Sequence, residues 1–131
     1  VIARRRLLAV FALVPALRAS SPPRSLRGTL AAGKLLLPDG TSVTLSGDDE
    51  TEKVLADERL QDADFEVLGR ADGPGRFRIE PIHIPALFVY RGGRKLRVTY
   101  WCDVCYIRTY APGLCWCCRK ETLLDPREPE E

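Results

Sequence analysis

The residues best equipped for chemistry are five cysteines, all of which fall between Cys102 and Cys118. Four of them form two C-x2-C pairs, Cys102 with Cys105 and Cys115 with Cys118, separated by nine residues. Each pair can place two sulfurs on one side of a tight turn, and Pro112-Gly113 can reverse the chain so that the pairs converge. Four thiolates about 2.3 Å from one ion make a closed tetrahedral site. Soft sulfur donors without oxygen select Zn or Fe over Mg or Ca. With every position filled by protein there is no vacancy for a reactive water, so the expected role of a bound zinc is structural. Cys117 is the alternative to Cys118 as fourth ligand.

Other thiol chemistries compete with this reading. Disulfides suit an exported protein, but five thiols leave one unpaired, and the C-x2-C and C-C spacings close only tight rings. Trp101-Cys102-Asp103-Val104-Cys105 resembles the Trp-Cys-x-x-Cys of thioredoxin-like oxidoreductases, where a helix N-terminus in a βαβ setting lowers the first thiol's pKa. No βαβ pattern surrounds it here. A thiol-disulfide or Fe-type redox protein is therefore the alternative from a different functional class. Haem attachment is excluded, because neither C-x2-C is followed by His. Neither the glycine nor the serine pattern supplies a phosphate loop or a nucleophile set, so the chain reads as non-enzymatic. His83 is the only histidine; it excludes any two-histidine mechanism and is read as satisfied by backbone groups. Tyr100, Trp101, Tyr106, Tyr110 and Trp116 are expected to cover the metal and dock it on the preceding domain.

The elements that must position the cysteines are mainly strands. Val43/Leu45, Phe65/Val67, Phe77/Ile79 and Leu96/Val98/Tyr100 alternate with a period of two. Leu30–Leu37 predicts one further strand, ended by Pro38-Asp39-Gly40. Asp72-Gly73-Pro74-Gly75 joins two strands, and Gly92-Gly93 fits a two-residue primed hairpin turn. One helix is predicted after the second strand, with Asp49 and Glu52 as a capping box and Val54, Leu55 and Leu60 as its apolar stripe. The expected fold is mainly β: a small OB-like barrel or curled sheet over 26–100 with one short helix. A zinc-ribbon-like four-cysteine hairpin follows over 101–120. Residues 121–131, with five acidic groups and one basic, read as an acidic flexible tail.

Composition sets the outer bounds. At 131 residues, 45% hydrophobic and 29% charged, the chain is not wholly disordered. Arg4–Arg6 precede an apolar run, Leu7–Leu17, whose 11 residues fall short of the roughly 20 needed to span a bilayer. Small residues at Ala16, Ala19 and Ser20 complete the layout of an export signal over 1–19, followed by a linker over 20–25. The expected location is periplasmic or extracellular, with a membrane tether if the signal stays uncleaved. Without 1–19 the formal charge falls from +2 to −2, so the basic balance is poor evidence for a nucleic-acid partner. Residues 39–66 hold ten acidic and two basic groups, and residues 70–108 hold eight basic and three acidic. The plain reading is a solvated surface. The sharper one is a basic hairpin, Arg91, Arg94, Lys95 and Arg97, that meets an unknown protein or a small anionic ligand.

The run Thr99–Tyr110, with Pro112-Gly113 and Cys115-Trp116-Cys117-Cys118, resembles a small set of uncharacterised exported bacterial proteins of the acidobacterial type. That resemblance implies a signal peptide, a β-rich domain and a Cys-rich C-terminus in this order, and no activity. Phe65–Arg70 followed by Phe77–Ile82 is similar to the last strands of bacterial exported OB-type barrels, in which the helix follows the third strand.

Overall fold

The structure is a computed structural model that describes residues 22–129. The expected export signal over 1–19 lies outside the described residues. Five strands and a helix make the first unit: β1 (Arg24–Ala31), β2 (Lys34–Leu36), β3 (Ser42–Ser46), α1 (Asp49–Leu55), β4 (Asp64–Ala71) and β5 (Arg76–Ile79). They pair in the order β1-β2-β3-β5-β4, and a β1–β4 pairing closes the circle. The β3–β5 pairing is parallel and the others are antiparallel. A closed five-stranded sheet in this order, with its helix between β3 and β4, is an OB-type barrel.

The sequence reading of Leu30–Leu37 as one strand is corrected. Ala32 (φ 48°) and Gly33 (φ 78°) form a two-residue turn, and β1 folds back on β2 with Ala31 opposite Lys34. Alanine at the first turn position gives no turn signal, because left-handed backbone normally selects Gly, Asn or Asp there. The extra hairpin moves α1 from after the second strand to after the third. The departure from OB order that the sequence suggested thereby disappears.

Barrel closure requires strands that change partners midway. β1 pairs with β4 along Arg24–Thr29 and with β2 from Thr29 onward. Gly28 sits at that change, where an added Cβ would lie 2.1 Å from the Leu36 carbonyl oxygen. β4 does the same on its other edge, passing from β6 (Leu87–Arg91) at Phe65–Val67 to β5 at Gly69–Ala71. Gly69 occupies that corner, with an added Cβ 2.1 Å from the Arg78 carbonyl oxygen. Glycine within a strand at such a bend is a packing requirement. Inside, Leu30, Leu35, Phe65, Val67, Phe77 and Ile79 are sealed from water.

Helix α1 plugs the barrel with Val54 and Leu55, and Leu60 follows on the 3-10 turn Glu58–Leu60. Its N-cap is Asp48, one residue before the predicted Asp49: Asp48 holds extended backbone (φ −71°, ψ 177°) and accepts from Thr51 N. Glu52 reaches back to Gly47 N at 3.1 Å, so the reciprocal capping logic survives the shift.

β7 (Arg94–Arg97) hairpins onto β6 through Gly92-Gly93, both at positive φ as the primed turn requires. A second sheet then forms from β8 (Tyr100–Cys102), β9 (Ile107–Thr109) and β10 (Leu123–Leu124), in the order β10-β8-β9. Two sequence boundaries change. Arg24 and Ser25, read as linker, pair with Gly69 and Leu68 in β1. The C-terminal segment is docked: Leu123 and Leu124 pair with Trp101 and Tyr100, and Arg127 exchanges backbone bonds of 2.6 and 3.0 Å with Arg97. Its acidic composition hid Thr122-Leu123-Leu124, which supplies the strand. No helix among the described residues is long and apolar enough to cross a membrane.

Candidate metal centre

Strand β8 delivers Cys102 to the mouth of a turn whose last residue, Tyr106, returns its N–H to the Cys102 carbonyl at 2.9 Å. The second pair repeats the turn, with Arg119 N donating to the Cys115 carbonyl at 2.7 Å. Tyr106 (φ 55°) and Arg119 (φ 61°) both take left-handed backbone, a conformation that costs a non-glycine residue of order 1–2 kcal/mol. The residue after each C-x2-C thus takes the backbone suited to Gly although neither is Gly. Cys115 N bonds to the Lys120 carbonyl at 2.7 Å, and Thr122 bonds Gly113 O through both its N–H and its hydroxyl at 3.0 Å. These bonds close the base of the second turn.

The sulfurs of Cys102, Cys105, Cys115 and Cys118 all lie within 4.8 Å of one another, with Cys102 and Cys118 at 3.5 Å. A regular tetrahedron with metal–sulfur bonds of about 2.3 Å has sulfur–sulfur edges of about 3.8 Å, so the spacing fits a metal ion. All five cysteines are free thiols. Backbone amides face the sulfurs. Cys105 N donates to Cys102 Sγ at 3.4 Å, and the amides of Cys118 and Cys117 draw the Cys115 thiol down to about 7. Cys105 is pushed up, first by the neighbouring Cys117 thiol and then by burial. At Cys118 the Lys120 amide pulls the thiol down, but burial and the Cys102 thiol outweigh it, so the net direction is up. One site ready to be a thiolate beside others that hold their protons is a set a cation would convert to four thiolates.

Cys117 is exposed and stands outside the group of four, next to Cys105. The aromatic expectation holds only in part. Tyr100 is fully buried in the barrel core, and Trp101 is half-buried with the Arg108 guanidinium 4.8 Å from its ring. Tyr106 and Trp116 are 74% and 76% exposed and do not cover the sulfurs. In these turns the amides point inward at sulfur, so the side chains between and after the ligands point out.

The join between barrel and module is a group that sequence reasoning missed. Asp57, buried, accepts from Arg59 N (3.0 Å), Arg59 Nε (2.9 Å), Arg59 Nη2 (3.0 Å) and the Tyr100 hydroxyl (2.7 Å). Arg59 Nη1 in turn donates to the Thr122 carbonyl at 2.9 Å. Burial alone would raise the Asp57 carboxyl, but these hydrogen bonds prevail and hold it below the ordinary value. Burial, with the bond to Asp57, pushes the Tyr100 hydroxyl far up, which keeps it a neutral donor. His83 crosses the same join, its Nε2 2.7 Å from the Tyr110 carbonyl oxygen, a backbone partner as expected. Of the basic hairpin, Lys95 pairs with Glu66 at 2.5 Å and Arg94 pairs with Glu128. Arg91 is exposed and Arg97 half-buried.

Fold and site together define an OB-type barrel with a four-cysteine, metal-capable module docked on its edge. No family model matches the chain, and neither the curated proteins nor the solved structures give a match.

Proposed function

We propose that this chain is an exported, non-enzymatic binding or structural module in which a zinc ion on Cys102, Cys105, Cys115 and Cys118 clamps the C-terminal segment to the barrel. The observation that carries the reading is the convergence of the four sulfurs within 4.8 Å, a donor set with no place left for substrate or water. The zinc would supply a cross-link; barrel, turns and amide donors hold the ligands. The layout of Arg4–Arg6 and Leu7–Leu17 supports export. Thiol exchange at Cys102 and Cys105 finds less support, since Cys102 ends a strand and Cys105 is pushed up.

Elemental analysis with thiol titration tests the metal half. One zinc per chain and a single fast-reacting thiol are expected; a red iron protein, or two disulfides without metal, would overturn it. Intact mass of the periplasmic fraction tests the other half. Cleavage near Ala19 is expected, and a full-length species confined to the cytoplasm would contradict export.

A further inference from the structure

We infer that the cleft between β7 and the cysteine module binds a small polyanion carrying phosphate or sulfate groups. The cleft has a volume of about 810 Å³, within the roughly 300–1,000 Å³ of small-ligand sites. Four arginines line it, Arg94, Arg97, Arg108 and Arg127, together with Trp101 and Tyr110. They come from three separate pieces of chain: β7, the β8–β9 hairpin and the C-terminal segment. The arrangement is therefore a product of the fold, not of a local run of basic residues.

The cations are only partly neutralised. Arg108 Nη1 and Arg127 Nε share one carboxylate oxygen of Asp125, each at 2.9 Å, and Arg94 pairs with Glu128 at the rim. Among the described residues four guanidiniums thus meet two carboxylates, an excess of positive charge around one concavity. Among the described residues Arg97 has no carboxylate partner, and its Nε is buried without a hydrogen-bond acceptor. A buried donor left unmade is unfavourable, and an incoming acceptor would relieve it. The Arg fork matches the oxygens of phosphate and sulfate with paired N–H donors. Trp101 and Tyr110 offer apolar walls for whatever carries the charged groups. The inference rests on the reading above, because two walls of the cleft belong to the clamped module.

Calorimetric titration of the full chain with tripolyphosphate and with a sulfated disaccharide tests it, at low and moderate salt. Binding that weakens with salt is expected, and the tighter of the two probes identifies the source of the oxyanion. Arg97→Gln and Arg127→Gln should each weaken binding about tenfold, the scale of one charge-assisted bond. Glu128→Gln should tighten it by freeing Arg94. Arg76→Gln on β5 removes the same charge elsewhere and should change affinity less than about twofold. Equal weakening by Arg76→Gln and Arg97→Gln would reduce the effect to net charge and overturn the site. A zinc-loaded chain that binds neither probe at low salt would overturn it while leaving the clamp standing. Metal-free protein that binds both would do the reverse.

Discussion

In the barrel, Leu30, Leu35, Phe65, Phe77 and Ile79 are packed out of reach of water, whereas across residues 101–129 only Cys102, Cys115 and Thr122 are buried. Of the seven large apolar side chains exposed on the described surface, Val104, Tyr106, Leu114, Trp116 and Leu123 belong to the module. The module therefore exposes most of its large apolar groups while it buries Cys102 and Cys115, with Ala111 and Leu124 packed against the barrel core. A unit this small buries little apolar surface of its own, and on the proposed reading a metal cross-link adds folding energy to its docking on the barrel. On this reading the barrel folds by exclusion of water and the module by ligation.

The comparison breaks most visibly at the ligands. Cys102→Ser, Cys105→Ser or Cys115→Ser, or a strong chelator, should release the metal and unfold the module. Amide hydrogen exchange should then rise across β8–β10 while β4 stays protected; equal loss of protection in both regions would mean the two are one cooperative unit. The complementary substitution, Phe77→Ala, should cost the barrel about 3–5 kcal/mol in a denaturant melt, with metal stoichiometry unchanged in the folded fraction.

A smaller effect is expected at the join. Asp57→Asn should cost about 2–4 kcal/mol, since it removes a buried carboxylate with four donors around it. Because the folded-state pKa of Asp57 is depressed, its contribution is complete above the unfolded value of about 3.9 and is lost as pH falls through the folded value. Melts of wild type and Asp57→Asn should accordingly converge in acid and separate above about pH 4. A gap that persists unchanged at low pH would assign the loss to packing alone.

Least should happen at the solvent-facing positions. Cys117→Ser and Trp116→Ala should stay within about 0.5 kcal/mol of wild type and keep one equivalent of metal. If Cys117→Ser loses metal while Cys118→Ser keeps it, the module stands with the other ligand set.

Much of the site was legible in the sequence because C-x2-C is local: two ligands of one type at one short spacing define each half. The left-handed turns were not, since Tyr106 and Arg119 stand where Gly would have announced them. In the barrel, period-two alternation marked β3, β4 and β5, while Ala32 concealed the first hairpin and with it the position of α1 in the OB order. The join was hidden for a different reason. Asp57 and Tyr100 are 43 residues apart, and nothing in the acidic segment distinguishes the carboxylate at the join from the others around it. The tail misled through composition, as its five acidic groups outweighed the two leucines that pair with β8.

X-ray absorption at the zinc edge on the full chain tests the central claim most directly. The account predicts one zinc per chain surrounded by four sulfurs at about 2.3 Å and no nitrogen or oxygen neighbour. A shell containing oxygen or nitrogen would contradict the closed four-thiolate clamp, and so would a chain that binds no zinc and carries its cysteines as disulfides.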